Sequence, residues 1–419
     1  VKVLILHNRY RQHGGEDQVV QAEAALLRER GVHVRLVEAD NGRPEGEGPL
    51  RTVTMAAAAA WSPASYRFAA RICREFQPDV VHVHNFWMSL SPSVHAACRA
   101  AGAATVQSLH NFRLLCANAL LLREGRACLD CVGGSPLPGV MRRCYRDSLL
   151  ASAAVAGMIT ANRFLRTWHR NVDAFIALSE HSRSKFAAGK IPTDRLFVKP
   201  NFREDPGEPA SRPSSSKTFV FAGRLSSEKG LDTLIEAWVQ ARLPEPARLL
   251  IVGDGPARDS LVMQSSALGL DPTRVTFVGR KTPAEVLELV AGARAVILPS
   301  LCFENFPALL AEAYACGRPM IASDSGALGE LVDQDRTGLK TPPGDASALA
   351  QALRRMAADD SLADSLGRAA RREFLAKYTP EENHRNLMRI YRFAAERRGR
   401  TLPRALRSFE PATVTEGGL

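Results

Sequence analysis

No apolar run in this sequence is long enough to span a bilayer. The longest, SLLASAAVAGMITA from Ser148 to Ala161, falls short of the ~20 residues a crossing helix needs. MAAAAAW, Met55 to Trp61, is shorter still. Val1 opens directly on the strand-like VKVLILHN, so the expectation is a chain without a signal peptide. The expected setting is cytoplasmic, with contact at most on the inner face of the membrane. Lysine is scarce while arginine and alanine abound, which reads as genome composition rather than function. In that setting the eight cysteines argue for thiols or metal and against a disulfide framework. Also missing is G-x-G-x-x-G after the first strand. HNRYRQHGGED stands there instead, which argues against a nicotinamide-linked oxidoreductase.

What is present points to two domains. A chain of 419 residues exceeds one ordinary core. Its formal net charge of +11 suits an anionic partner. The first half alternates strand-like runs (Lys2–His7, His33–Glu38, Val80–Asn85, Thr105–His110, Ala174–Leu178) with helical patterns such as Asp17–Gly31. The alternation pauses at NFREDPGEPASRPSSSK, Asn201 to Lys217, which reads as a linker. It restarts with TFVFAGR, ARLLIVGDG, RVTFVGR, ARAVILPS and RPMIAS. Serial βα units predict an α/β chain with two parallel sheets, and sheets facing each other leave a cleft at their carboxyl ends. The layout expected is an N-terminal domain over 1–200, a linker over 201–217 and a second domain over 218–380. A closing helix over 381–398 and a mobile tail over 399–419 follow.

The second half carries the chemistry. In FAGRLSSEKGLDTL, Arg224 and Lys229 are offered from a loop before a helix, whose free amides and dipole add positive charge. That suits a diphosphate; two solvated loop charges is the alternative. In IVGDGP, Gly253 and Gly255 permit close backbone approach to a ligand, or make a plain tight turn. FENFPALLAEAYACGRP places Glu304 before a helix opened by Pro307, and Glu312 on its second turn. A carboxylate can accept two hydroxyls of a sugar ring or ribose. Acids favoured by the helix start is the other reading.

These stretches together resemble the retaining glycosyltransferases of family 4, which have the GT-B fold: two Rossmann-like domains facing each other across a cleft. GRLSSEKG resembles that family's G-R-x-x-x-E-K-G stretch, GDGP its G-x-G-P turn, and ENFPALLAE its pair of glutamates with seven residues between them. LVDQDRTGLKTPPGDASALAQAL matches its closing segment, and GGEDQVVQAEAALLRERGVHV its N-terminal glycine loop and first helix. The resemblance implies a nucleotide-diphospho-sugar donor, a UDP-sugar or GDP-sugar, in the second domain and an acceptor in the first. It implies that Arg224 and Lys229 hold the diphosphate, that Glu312 binds the ribose, and that Glu304 with the Asn305 and Phe306 amides addresses the sugar. Gly15 would approach the phosphates from across the cleft. His110, in SLHNFRLLC, would contact the transferred sugar; a structural histidine is the alternative. The family often has E-G-F-G where this chain has Glu304-Asn305-Phe306-Pro307, a stiffer loop with one amide fewer.

The implied reaction retains configuration by front-face attack, with the leaving phosphate as base and no catalytic metal. The D-x-D at Asp333 and Asp335 reads as a turn, not a metal site. Cys116, Cys128, Cys131 and Cys144 crowd into an insertion over 116–144 whose central C-x2-C has zinc spacing. A structural zinc and unbound or redox-active thiols both stay open. Arg142, Arg143, Arg146, Arg163, Arg166 and Arg170 flank the apolar Ser148–Ala161 run. They make either a basic face for anionic lipid or a solvated face around a buried helix. The acceptor class is carbohydrate, lipid-linked or small molecule; nucleic acid is not an expected partner. Two other functions stand as alternatives: a sugar-nucleotide epimerase on the same fold, and a non-catalytic nucleic-acid-binding protein suggested by charge alone.

Overall fold

Near-continuous apolar runs make strands that are buried on both faces, and such strands form parallel sheets with helices packed above and below. The computed structural model describes residues 1–9, 14–40, 58–87 and 89–402. In it, β1 (Lys2–Arg9), β2 (His33–Asp40), β3 (Val80–Val83) and β4 (Ala104–Ser108) are followed by a two-residue hairpin, β5 (Leu122–Arg123) with β6 (Arg126–Ala127). Then come β7 (Ala174–Ala177) and β8 (Leu196–Val198), and all but the hairpin join one six-stranded parallel sheet in the order β2-β1-β3-β4-β7-β8. A second parallel sheet holds β9 (Thr218–Ala222), β10 (Arg248–Val252), β11 (Val275–Gly279), β12 (Ala295–Leu298), β13 (Met320–Ser323) and β14 (Gly338–Thr341). Its order is β11-β10-β9-β12-β13-β14. The strand order reverses at β1/β3 and at β9/β12, the points where open parallel sheets bind ligands.

Six helices position the site: α1 (Gly15–Glu29), α2 (Leu149–Phe164), α3 (Glu180–Ala188), α4 (Leu231–Ala241), α5 (Ala308–Ala315) and α6 (Pro380–Glu396). Helix α1 starts two residues earlier than its apolar periodicity predicts, because the Asp17 carboxylate accepts from the Gly14 amide at 2.8 Å and caps the turn. Helix α6 packs against the first sheet, and the Tyr391 hydroxyl lies 2.8 Å from His82 Nδ1. Its buried Leu387, Ile390 and Tyr391 join the apolar core of the first domain to that of the second.

The segment read as a linker is fastened to the second domain. Arg318, buried, donates to the Ser211 carbonyl at 2.8 Å. Asp364 accepts from Ser214 N and Oγ at 2.9 Å each, and Pro213 is buried. Proline and serine there remove periodicity without removing partners. Of the tail, residues 403–419 lie outside the described residues, as do 55–57 of the alanine-rich run.

Candidate active site in the inter-domain cleft

The turns after β9 and β10 are stacked backbone on backbone. A Cβ on Gly253, whose φ is +136°, would lie 1.8 Å from the Gly223 carbonyl oxygen, so no other residue fits without a shift. A Cβ on Gly255 would meet the Leu225 oxygen at 2.3 Å. Gly253 lies on the cleft wall; Gly255, expected to bind donor, supports the turn behind it. Arg224 and Lys229 both line the cleft, Arg224 just beyond β9 and Lys229 in the turn that leads into α4.

Each glutamate of the pair holds a cation. Lys229 Nζ donates to Glu304 Oε1 at 2.5 Å, and Ser300 Oγ adds a bond to the same oxygen at 2.8 Å. Burial raises the Glu304 carboxyl, but the Lys229 charge and these bonds outweigh it and hold the group below its usual range. Burial likewise works against the Lys229 ammonium, and the Glu304 carboxylate overturns that, so its pKa is raised. Arg203, from the linker, donates Nε to Glu312 at 2.9 Å. Both carboxylates and both cations face the cleft.

Asn305 does something that its place in the sequence did not suggest. Its side chain crosses to the first domain, where Nδ2 donates to the His110 carbonyl at 2.8 Å and Oδ1 accepts from Ser182 Oγ of α3 at 2.6 Å. Phe306 lines the cleft and packs its ring against Tyr378 at 5.3 Å between centroids. Nearby, Glu330 of the second domain accepts from the Glu180 and His181 amides at the start of α3, at 3.0 and 2.6 Å. The two domains are thus clasped beside Glu304 and His110.

From the first domain, Gly15 opens α1 directly opposite α5; a Cβ there would meet Ala308 Cβ at 3.9 Å. His110 follows β4 to the cleft, with Nε2 2.9 Å from His84 Nδ1. His84 Nε2 stands 3.4 Å from Glu23 Oε1, and Glu23 Oε2 accepts from Lys199 Nζ at 2.8 Å. Burial lowers His84 to about 3 and lowers His110 well below the usual range, so both rings are neutral near pH 7. Burial opposes the Glu23 charge, yet Lys199, His82 and His84 keep it ionised. An ionised Glu23 favours the proton on His84 Nε2. His84 Nδ1 then accepts from His110 Nε2–H, and His110 Nδ1 keeps its lone pair. His110 can therefore accept a hydrogen bond from a hydroxyl but carries no charge.

Sequence reading missed this buried group. Two signals were there: His82 of β3 and His84 just beyond it are two positions apart, the spacing of one strand face, and Glu23 sits on the apolar face of α1 beside Val20 and Leu27. Glu23, His82 and His84 bring ligand atoms within 4.8 Å of one another and could hold a metal, but the Lys199 ammonium already supplies the positive charge.

A family model for the "Glycosyl transferase 4-like domain" matches residues 14–201, and one for "Glycosyl transferases group 1" matches residues 216–359. The chain belongs to the group 1 glycosyltransferases. It is 35% identical over 205 residues to the exopolysaccharide phosphotransferase SCO2592 of Streptomyces coelicolor, covering 48% of this chain and 21% of that protein. It is 36% identical over 172 residues to the glycogen synthase of Mycobacterium tuberculosis, covering 40% of this chain and 41% of that one. It thus spans less than half the length of these curated relatives. The Anabaena HepE protein, solved in complex with UDP, superposes with a TM-score of 0.66 at 18% identity, over 93% of this chain and 99% of that one. Such neighbours are GT-B structures, and the two parallel sheets of this glycosyltransferase have that fold.

In this group 1 glycosyltransferase the cleft holds ≈ 1160 Å³ and is lined by seven cationic side chains against four carboxylates. Arg280 and Lys281 extend the positive wall beyond Arg224; Arg113 and Arg146 extend it on the facing domain, beside Trp87 and Tyr145. The D-x-D turn lies elsewhere, with Asp333 paired to Arg336 and Asp335 bonded to Arg355 at 2.5 Å.

Proposed function

We propose that this protein transfers a glycosyl unit from a UDP- or GDP-linked sugar to an acceptor, with retention and without a divalent cation. One observation carries the reading: the cleft at the carboxyl ends of both sheets has an excess of fixed cations around Arg224 and Lys229. Negative charge grows on the diphosphate oxygen as the anomeric bond breaks, and those cations with the facing starts of α1 and α5 meet it. The diphosphate then takes the acceptor hydroxyl proton on the same face. Glu304, already bonded to Lys229, orients the sugar side and is not required as a nucleophile. His110 accepts from a sugar hydroxyl, and Glu312 exchanges Arg203 for the ribose diol. The complex of HepE with UDP, on the same fold, supports a uridine nucleotide as the first donor to try.

The acceptor enters over the first domain, where the reading extends to a lipid surface. The outward face of α2, Leu150, Ala153, Gly157, Thr160 and Phe164, carries no charge, and Phe164 is 86% exposed. Arg143 and Arg146 precede it and Arg166 and Arg170 follow, all exposed. Among the described residues no helix is long and apolar enough to cross a membrane. An apolar face framed by arginines lies on anionic lipid instead.

A thermal-shift panel of nucleotide diphosphates and their sugars tests the core of this. UDP or GDP at about 100 times its Kd adds about 2.7 kcal/mol, roughly 5–10 °C for a domain of this size. Arg224→Ala and Lys229→Ala should abolish the shift and lower turnover by about 100- to 1000-fold. Indifference to every nucleotide, or turnover lost on chelation, would overturn the proposal.

A further inference from the structure

Between Cys116 and Cys144 the chain has little regular structure to hold it. It contains the β5–β6 hairpin and one short helix, Leu137–Met141. Of the eleven non-glycine residues with positive φ among those described, six fall between 119 and 147: Ala119, Leu121, Glu124, Arg143, Arg146 and Asp147. Left-handed backbone at such residues is unfavourable and persists only where something else fixes it. Apolar burial supplies this only at one end: Ala119 and Leu121 are buried, whereas Leu129, Leu137 and Met141 are exposed.

The four thiols of the segment surround one cavity instead, though no three of their sulfurs lie within 4.8 Å of one another. Cys116 ends the turn after His110, the hairpin returns the chain to Cys128 and Cys131, and the short helix delivers Cys144. All four line one cavity of ≈ 20 Å³, room for a single small body, and none is in a disulfide. Backbone bonds fix their carriers: Cys128 N donates to the Leu121 carbonyl at 2.8 Å, and Cys144 N to that of Gly139 at 2.9 Å. Gly139 lets the short helix pack closely on the segment, since a Cβ there would stand 3.3 Å from Ala117 Cβ.

We propose that Cys116, Cys128, Cys131 and Cys144 bind one structural zinc ion. Four thiolates with no open position make a closed tetrahedral site, which holds structure and does not activate water. Each thiol loses its proton to solvent, four Zn–S bonds form, and the ion sheds its waters; nothing is oxidised or reduced. The resulting dianionic centre has Arg142 on the same cavity wall and Arg123 beside it. Sulfurs in such a site stand ~3.8 Å apart, from Zn–S bonds of about 2.3 Å. The side chains therefore turn inward on binding, and Cys116 exchanges its 2.9 Å contact with Asn118 Oδ1 for the ion. The residues next to Cys144, Tyr145 and Arg146, line the cleft, so the ion would fix the acceptor wall. This inference does not depend on the donor or the reaction.

Metal analysis of the full chain, purified in reducing buffer with zinc supplied, tests it. About one zinc per chain is expected, with cobalt exchange giving the intense thiolate charge-transfer and tetrahedral bands of a four-sulfur site. Cys128→Ser and Cys131→Ser should each lose the ion, while Cys302→Ser and Cys316→Ser keep it. Loss should expose the 116–147 segment to protease while the nucleotide thermal shift persists, which separates this proposal from the function above. Wild-type protein that takes up neither zinc nor cobalt would overturn it. So would zinc retained in the Cys128→Ser/Cys131→Ser double variant.

Discussion

Glu304→Gln separates a carboxylate that serves the sugar from one that also restrains the lysine. Without diphosphate, Glu304 accepts from Lys229 at 2.5 Å, and the two side chains are 13% and 22% exposed. Removing one member of a fully buried pair costs about 3–5 kcal/mol. With this residual exposure, and with the amide oxygen retained, about 2 kcal/mol is the working figure. That predicts a Tm lower by roughly 4–8 °C for a domain of this size. Diphosphate binding should move the other way. In the wild type, Lys229 must share its charge between Glu304 and the phosphates, so part of the pair's energy is deducted from affinity. In Glu304→Gln that part returns, and UDP or GDP should bind roughly 10- to 30-fold tighter, at 1.4 kcal/mol per tenfold, while turnover falls. Calorimetric titration of wild type, Glu304→Gln, Lys229→Met and the double variant closes the cycle. Weaker diphosphate binding by Glu304→Gln would refute the reasoning, as would an equal gain in the Lys229→Met background.

Two further outcomes follow from the first domain. Glu23 is held well below its ordinary pKa, so its contribution to stability is present above about pH 4.5 and is lost as pH falls through the folded value. Glu23→Gln strands Lys199, only 2% exposed, and should cost about 3–5 kcal/mol in denaturant titration and flatten the acid side of the stability profile. Vesicles containing anionic lipid should pellet the protein at low salt and release it at high salt. Phe164→Glu with Leu150→Glu should abolish pelleting without changing the nucleotide thermal shift. No pelleting of the wild type at low salt counts against lipid contact.

The sheets were legible because parallel strands are apolar on both faces, so the VLIL, LLIV and AVIL runs announce themselves without tertiary knowledge. Arg224, Lys229, Glu304 and Glu312 were legible because a helix start and its turn are local. They reach the cleft through loops that follow strands, and that is sequence order. Asn305 was not legible in the same way. Its partners, Ser182 and the His110 carbonyl, lie 123 and 195 positions away, and no local pattern encodes an amide that crosses between domains. Lys199 and Glu23 were hidden for a related reason. Each is unremarkable in its own element, and only the packing of α1 against the sheet joins them. The fastening of the linker was hidden because composition records only its lack of periodicity, whereas the fastening comes from buried arginines such as Arg318 on the other side of the contact.

The consecutive positions of Glu304 and Asn305 then acquire a mechanical meaning. Glu304 is bonded to Lys229, the cation proposed for the diphosphate, and Asn305 to the backbone of His110, the histidine proposed for the sugar. Phe306, next in line, is wedged against Tyr378, so the three residues cannot shift independently. When phosphate oxygens draw Lys229 off its carboxylate, the displaced charge acts on a residue whose neighbour clasps the opposite domain. Two glycines around the phenylalanine, as in E-G-F-G, would let the backbone absorb that motion. Asn305 and Pro307 instead transmit it, because the proline fixes φ at the start of α5 and the asparagine ties the loop to Ser182 and His110. On the proposed function, the stiff loop would couple diphosphate at Lys229 to the placement of His110 across the cleft.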